Sequence, residues 1–308
     1  MTERTRQPRR VRVRVPATSA NLGPGFDSLG LALDLWNEAV FSLEGDCLQI
    51  TCGGESSASI PADENNLVVR AMRFFCEERG LAFPAGLTVT CQNRIPVGSG
   101  LGSSAAAVLT GLYGASALLE SPLTQSEALN IAAALEGHAD NVAAALFGGL
   151  VIAAPTPGGW LAQRIEIPEM EVTVVLPDVV LPTQTARAAL PKTVSLKDAA
   201  YNLSHALLTV EALRAGDLDQ LQQAMDDRLH QPYRLPLIPG APAAVEAARK
   251  AGAKAVAISG AGPSLIAFTH GASQAAGSAM AEAFRAHSVQ ARIFALKTTQ
   301  LGTLTEWI

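Results

Sequence analysis

Pro96-Val-Gly-Ser-Gly-Leu-Gly-Ser-Ser-Ala-Ala-Ala107 sets three glycines at alternating positions, then two serines, then an alanine run. Glycine lacks a Cβ, so it adopts positive φ and lets a ligand approach the backbone closely. Alanine is the strongest helix former, so the pattern predicts a helix that begins as the glycines end. The free N–H groups of that first turn and the positive end of the helix dipole face the same way. They make a site for an anion, most simply a phosphate. The hydroxyls of Ser103 and Ser104 add donors and an oxygen ligand for a hard metal ion.

Other glycine loops fit less well. No Gly-Lys-Ser/Thr follows, so this is not a Walker loop. Nor is it Gly-x-Gly-x-x-Gly, because the third glycine, counted from Gly98 or Gly100, falls on Ser103 or Ala105. Glu120 stands where a ribose-binding acid would, but it reads as a helix end rather than the end of the next strand. Gly102-Ser-Ser104-Ala-Ala106 approaches a nucleophile elbow, which needs a tighter strand-to-helix turn than this loop makes. The plain alternative is a small-residue loop that only lets a helix pack closely.

The length of 308 residues predicts two domains, each with a substantial core. Charged residues are 17% and hydrophobic residues 48%, which leaves little room for disorder. A net charge of −5 and 5% aromatic residues argue against nucleic acid as a partner. Cys47, Cys52, Cys76 and Cys91 show neither Cys-x-x-Cys spacing nor a histidine group, so they read as reduced thiols of a cytoplasmic protein. Residues 1–10 read as a flexible basic tail without the apolar core of a secretion signal. Ile95 to Leu119 is uncharged and long enough to cross a bilayer, but the glycine loop interrupts it. A buried helix in a membrane-free protein is the expectation.

Along the chain, Val11-Arg-Val-Arg-Val15 alternates with period two and predicts a half-buried strand. A turn-rich loop follows from Pro16 to Asp27. Strands are expected at Leu31–Leu43, Cys47–Cys52, Leu87–Asn93 and Leu150–Ala154. Helices are expected at Glu64–Glu78, about 102–119 and 124–136; His138 to Asn141 interrupts, and an apolar helix then runs to Phe147. In the second half, strands at Val172–Pro177, Ala255–Ser259, Ser264–Phe268 and Val289–Leu296 alternate with helices at about 195–215, 217–230, 241–251 and 273–287. This predicts two α/β or α+β units. The turn Pro155–Gly159 marks a boundary between units 11–158 and 159–308.

Four further stretches carry chemistry. Asn21-Leu-Gly-Pro-Gly-Phe-Asp27 can present an amide and a carboxylate, or serve turn chemistry alone. Glu136, His138, Asp140 and Asn141 interrupt a strongly apolar stretch, and such groups are costly to bury without a shared purpose. Pro182-Thr-Gln-Thr-Ala-Arg187 and His230-Gln-Pro-Tyr-Arg234 each set one Arg in an apolar or turn context. Val256-Ala-Ile-Ser-Gly-Ala-Gly-Pro-Ser-Leu-Ile-Ala267 reads as two strands about a glycine turn.

The glycine loop resembles the phosphate-binding signature of the GHMP small-molecule kinases. Pro16 to Asp27 is similar to the start of the homoserine kinases within that family. Glu-Gly-His-Ala-Asp-Asn is similar to their Glu-Gly-His-Pro-Asp-Asn, with Ala139 and Ala144 where prolines are common. The two arginine stretches and the stretch around Gly260 are similar to further motifs of the family, in family order. The resemblance implies an α+β fold, with a ribosomal-protein-S5-domain-2-like N-terminal domain and a ferredoxin-like C-terminal domain.

It implies ATP, bound along Pro96, Val97, Gly98, Ser99, Gly100, Leu101, Gly102, Ser103, Ser104, Ala105 and Ala106. Asn66 sits where relatives touch the adenine, or caps a helix. Ser104 and Glu136 would hold Mg²⁺. His138, Asp140 and Asn141 would hold the attacking hydroxyl, with Asp140 as the base or only its orienter. Asn21, Asp27, His138, Asn141, Arg187, Arg234 and Gly260 would bind L-homoserine. In that set Asp27 suits an ammonium and the two guanidiniums a carboxylate. A sugar or mevalonate kinase would not need both, and a non-catalytic binding protein of this fold would be expected to lack Glu136 or Asp140. Relatives are often homodimers.

Overall fold

The computed structural model describes residues 9–271 and 273–308. Most of the expected basic tail, residues 1–8, lies outside the described residues, and Arg10 already opens a strand. Strands β1 (Arg10–Ala20) and β2 (Leu29–Ser42) form a long antiparallel pair. In β1, Val11, Val13 and Val15 are fully buried, and Arg12 and Arg14 between them are half-buried, the period-two pattern of a sheet with one covered face. The parallel strands β3 (Leu48–Gly54) and β4 (Leu87–Asn93) need a crossover, which α1 (Leu67–Arg79) supplies. Then come α2 (Ser103–Leu118), α3 (Gln125–Glu136), α4 (Asp140–Phe147) and the hairpin β5 (Leu150–Thr156) with β6 (Gly159–Ile165).

The second half holds β7 (Glu171–Pro177), α5 (Thr183–Ala188), α6 (Leu196–Ala215), α7 (Leu218–Ala224), α8 (Gln231–Arg234) and α9 (Ala241–Lys250). It continues through β8 (Ala253–Ile258), β9 (Leu265–Thr269), α10 (Ser273–Ala286) and β10 (Ala291–Lys297), and β11 (Leu304–Trp307) returns to pair with β1. Two sheets result. One runs β11-β1-β2-β4-β3, with the β5–β6 hairpin paired to the first residues of β2. The other runs β10-β7-β9-β8, all antiparallel. With α9 and α10 as crossovers, that second unit is the ferredoxin-like β-α-β-β-α-β arrangement.

Both faces of the second sheet are buried, and alternation along its strands says against what. Val172, Val174, Ala257, Ile266 and Phe268 join the core shared with the first sheet and with Leu213 and Leu221. Val175, Val256, Ile258, Leu265 and Ala267 pack instead on Ala244, Ala248, Met280 and Phe284 of α9 and α10. The shared core holds the two units together and leaves a cleft where their loops meet.

The structure differs from the sequence expectations in four places. β1 runs on to Ala20, because Ala17–Ala20 pair with Leu33–Gly30 beyond a bulge at Pro16/Ala17. The helix expected over 217–230 stops at Ala224. Asp227 draws the backbone N–H groups of Leu229, His230 and Gln231 onto its carboxylate, which turns the chain into short α8. The segments α5, β6 and β11 are additional, each too short to show a period in sequence. The division at 158/159 lies at the tip of the β5–β6 hairpin, so β6, and later β11, belong to the first sheet. Among the described residues, no helix is long and apolar enough to cross a membrane.

Candidate active site

The glycine loop is pinned at its middle and open at its ends. Leu101 is fully buried, which stabilises its position by about 1.5–3 kcal/mol. Thr18 N donates to Leu101 O at 3.0 Å, tying the loop to β1. From the second unit, Ser259 Oγ lies 2.8 Å from Gly100 O and 2.9 Å from Ser19 Oγ. Gly98, Gly100 and Gly102 have φ of 68°, 80° and 72°. Among the described residues no side chain caps α2, so the N–H groups of its first turn face the cleft with the dipole behind them.

Two glycines of this loop are required for different reasons. A Cβ on Gly100 would stand 2.4 Å from Ser259 O and 2.9 Å from Gly262 O, while one on Gly98 would meet nothing within 4 Å. Gly98→Ala is therefore expected to cost about 1–2 kcal/mol of stability, from its left-handed backbone alone. Gly100→Ala adds a clash between backbones and should cost roughly 3 kcal/mol or more. Urea unfolding measures both, and equal losses would mean that the 259–262 segment does not seat on the loop.

The α3–α4 junction faces the loop. Gly137, at φ 79°, ends α3, and α4 starts again at Asp140. This three-residue break, Gly137 to Ala139, turns Glu136, His138, Asp140 and Asn141 towards the first turn of α2. Ser104 Oγ donates to Glu136 Oε1 at 2.6 Å. Burial holds the Glu136 carboxyl above its ordinary pKa, against the opposing hydrogen bond from Ser104. Asp140 is buried, and its Oδ1 takes Asn141 N at 2.8 Å and lies 2.9 Å from His138 Nδ1. That hydrogen bond raises the His138 pKa. Among the described residues, Asp140 Oδ2 has no hydrogen-bond partner. Thr18 Oγ1 donates to Asn141 Oδ1 at 2.8 Å, which leaves the amide Nδ2 directed elsewhere.

The opposite end of the cleft is built from charges. Asp27 and Arg187 form a two-pronged pair at 2.8 and 2.9 Å, and this pair raises the Arg187 pKa. The Asn21 amide is engaged at both ends, donating to Gly260 O at 2.7 Å and accepting from Asp27 N at 2.9 Å. Asn21, Leu22 and Asp27 all have positive φ, at 70°, 47° and 53°, backbone strain concentrated on one loop.

Arg234 is only 2% exposed. Its guanidinium reaches Ala186 O, Gly260 O and His230 Nδ1 at 3.3, 3.4 and 3.5 Å, and it has no carboxylate partner among the described residues. Burial lowers its pKa. His230 Nε2 donates to Gly23 O at 2.8 Å, so Nδ1 is the acceptor that faces Arg234. Phe26 stacks on His230 at 5.2 Å between ring centroids, and both guanidiniums lie over its ring, Arg187 at 5.6 Å and Arg234 at 5.1 Å.

These groups line one cleft with about 800 Å³ of empty space. Of the residues singled out in the sequence, it brings together Asn21, Asp27, Gly98, Ser99, Gly100, Gly102, Ser103, Ser104, Glu136, His138, Asp140, Asn141, Arg187, Arg234 and Gly260. Leu101, Ala105 and Ala106 are buried beneath the loop, and Ser99 Oγ is spent on Pro96 O. Pro96 and Val97 lie outside this cleft. Asn66 caps α1 and also lines a second, mostly apolar cavity that shares Ser103 and Ser104 with the cleft. Sequence reading missed Thr18, Phe26, His230 and Asp227 as site-builders. Phe26 and His230 stood inside quoted motifs, and adjacency to a charged motif residue was the available signal.

The donor set fits a hard cation. Ser104 and Glu136 offer two oxygens beside an anion site, which suits an ion that takes its other ligands from phosphate and water. Among the described residues, no cluster of three or more His, Cys, Asp or Glu offers an all-protein metal cage.

Two family models match the chain: the GHMP kinases N terminal domain over residues 66–149 and the GHMP kinases C terminal domain over 209–287. The homoserine kinase of Moorella thermoacetica is 44% identical over 293 residues, covering 95% of this chain and 98% of that one. The homoserine kinase of Streptomyces coelicolor is 46% identical over 262 residues, 83% of this chain and 84% of the other. The crystal structure of homoserine kinase from Cytophaga hutchinsonii aligns with a TM-score of 0.85 at 30% identity, over 99% of each chain. L. major mevalonate kinase aligns with a TM-score of 0.70 at 17% identity, a likeness of fold alone.

Proposed function

We propose that this chain, which belongs to the GHMP kinase family, transfers the γ-phosphate of ATP to the side-chain hydroxyl of L-homoserine, giving O-phospho-L-homoserine and ADP on the route to threonine. The observation that carries this reading is Arg234. A buried guanidinium without a carboxylate is costly, and its retention at the rim of a cleft calls for an anionic ligand. Asp27 and Arg187 stand beside it, so the same end of the cleft offers one negative and two positive groups. An α-amino acid matches them, with its ammonium on Asp27 and its carboxylate on the guanidiniums. Binding then exchanges the Asp27–Arg187 pair for two pairs with the substrate.

The phosphate end works by positioning and charge neutralisation more than by covalent chemistry. The first-turn N–H groups of α2 hold phosphate oxygens, and the second cavity, with Asn66 on its wall, takes the adenine. Ser104 and Glu136 would hold Mg²⁺, which neutralises charge on the phosphates when bound. His138, Asp140 and Asn141 hold the homoserine hydroxyl, and the free Oδ2 of Asp140 accepts its hydrogen bond. The hydroxyl oxygen forms a bond to the γ-phosphorus as the bond to the β–γ bridging oxygen breaks. The hydroxyl proton leaves towards Asp140 or a phosphate oxygen. We place the protein in the cytoplasm, in keeping with its four free cysteines.

Purified protein with ATP and Mg²⁺ should release ADP with L-homoserine at a kcat/KM at least about 10³-fold above that with galactose or mevalonate, because buried polar groups left unpaired reject the wrong ligand. Comparable turnover of all three would withdraw the substrate.

A further inference from the structure

The second cavity carries two thiols that the kinase reaction does not use. Cys52 on β3 and Cys91 on β4 are register partners in the parallel pair. Both line the cavity, together with Pro61, Asn66, Leu67 and the first turn of α2. Neighbouring strands lie about 4.8 Å apart. That is within the span of roughly 4.4–6.8 Å between the Cα atoms of a disulfide.

The two sulfurs differ in environment. Cys91 is 5% exposed, while Cys52 is reachable from the cavity. Cys91 stands beside Cys52 in the register, and Asn66 Nδ2 donates to the Cys52 sulfur at 3.6 Å. The neighbouring Cys91 thiol and, less, the Asn66 amide bring the Cys52 thiol down to about 7 against burial, while Cys91 is pushed up. A partly ionised, accessible thiol beside a protonated one pairs an attacking sulfur with a resolving one. The other two thiols lack this arrangement: Cys47 is exposed and Cys76 is buried in α1.

We propose that Cys52 and Cys91 form an oxidisable dithiol in the wall of this cavity, closed to a disulfide by a peroxide and shielded from it by a bound nucleotide base. The Cys52 thiolate attacks a peroxide oxygen, the O–O bond breaks, and Cys52 becomes a sulfenic acid as hydroxide leaves. The Cys91 thiol then attacks that sulfur and expels the oxygen as water. In sum, two thiols and one hydrogen peroxide give one disulfide and two waters. The shielding half rests on the ATP reading above, while the dithiol chemistry does not.

The full-length, reduced chain is treated with hydrogen peroxide, its remaining thiols are alkylated, and its peptides are mapped without reduction. A Cys52–Cys91 linked peptide is expected. ATP at about 100 times its Kd should slow its formation by up to about 100-fold, because only the free protein reacts. In Cys91→Ser, oxidation should stop at a Cys52 sulfenic acid, captured by a 1,3-diketone. Cys47→Ser should leave the link unchanged. Peroxide that oxidises Cys47 while Cys52 and Cys91 both stay alkylatable overturns the dithiol, and the wild-type map decides this even if a variant fails to fold. ATP that binds by calorimetry without slowing the link overturns the shielding and the base cavity, leaving the dithiol standing.

Discussion

Asp140→Asn is expected to lower kcat for homoserine phosphorylation by about 10²–10⁴-fold, the usual weight of a positioned proton acceptor. The substitution is isosteric. The Asn oxygen can still accept from Asn141 N, so the start of α4 should survive and Tm should move little. What changes is charge. The side chain sits 3% exposed between His138 and the cleft, where a neutral amide can neither take a proton nor hold one on the imidazole. Asp140→Ala separates the two possible uses of the carboxylate. If Asp140 only orients the hydroxyl, Asn restores much of the loss seen with Ala. If it takes the proton, the two variants fall together. Steady-state kinetics with ATP binding measured in parallel provides the check, and a kcat within about threefold of wild type in both Asp140→Asn and Asp140→Ala removes Asp140 from the reaction centre.

Arg234→Met should raise KM for L-homoserine about 100-fold while ATP affinity and Tm hold. The first effect follows from losing charge-assisted hydrogen bonds to the substrate carboxylate, worth about 1.5–3 kcal/mol at a buried site. The second follows from distance: the guanidinium reaches Ala186, Gly260 and His230, none of them in the glycine loop. The third follows from desolvation. Among the described residues Arg234 has no ion pair, so an apolar side chain of similar length relieves a buried charge as it removes three long hydrogen bonds. Arg187→Ala should raise the same KM less, about tenfold, because that guanidinium is half exposed and already committed to Asp27. An unchanged KM in Arg234→Met, with a lowered Tm, would make Arg234 a structural residue and withdraw the amino acid as substrate.

The second sheet was legible from its strands, because both of its faces are covered and its inner strands therefore read as short apolar runs. The helix over 217–230 was not, because Asp227 redirects the backbone at a point where helical periodicity continues. At the site, the sequence offered Asn21 as a cleft residue but not the bonds its amide makes to Gly260 and Asp27 within the chain.

Sequence alone determined the glycine loop, the helix that follows it and the polar interruption after Glu136. Each depends on φ preference, helix propensity or burial cost acting over a few residues. Tertiary structure decided what those pieces face. Asp27 and Arg187 are 160 residues apart and meet only because the shared core brings the loop after β1 against α5. The enclosure of Arg234 by Phe26 and His230, the facing thiols of β3 and β4, and the return of β11 to β1 depend on the same long-range packing. Local propensity cannot encode such contacts, because they arise from which faces of the two sheets must be covered.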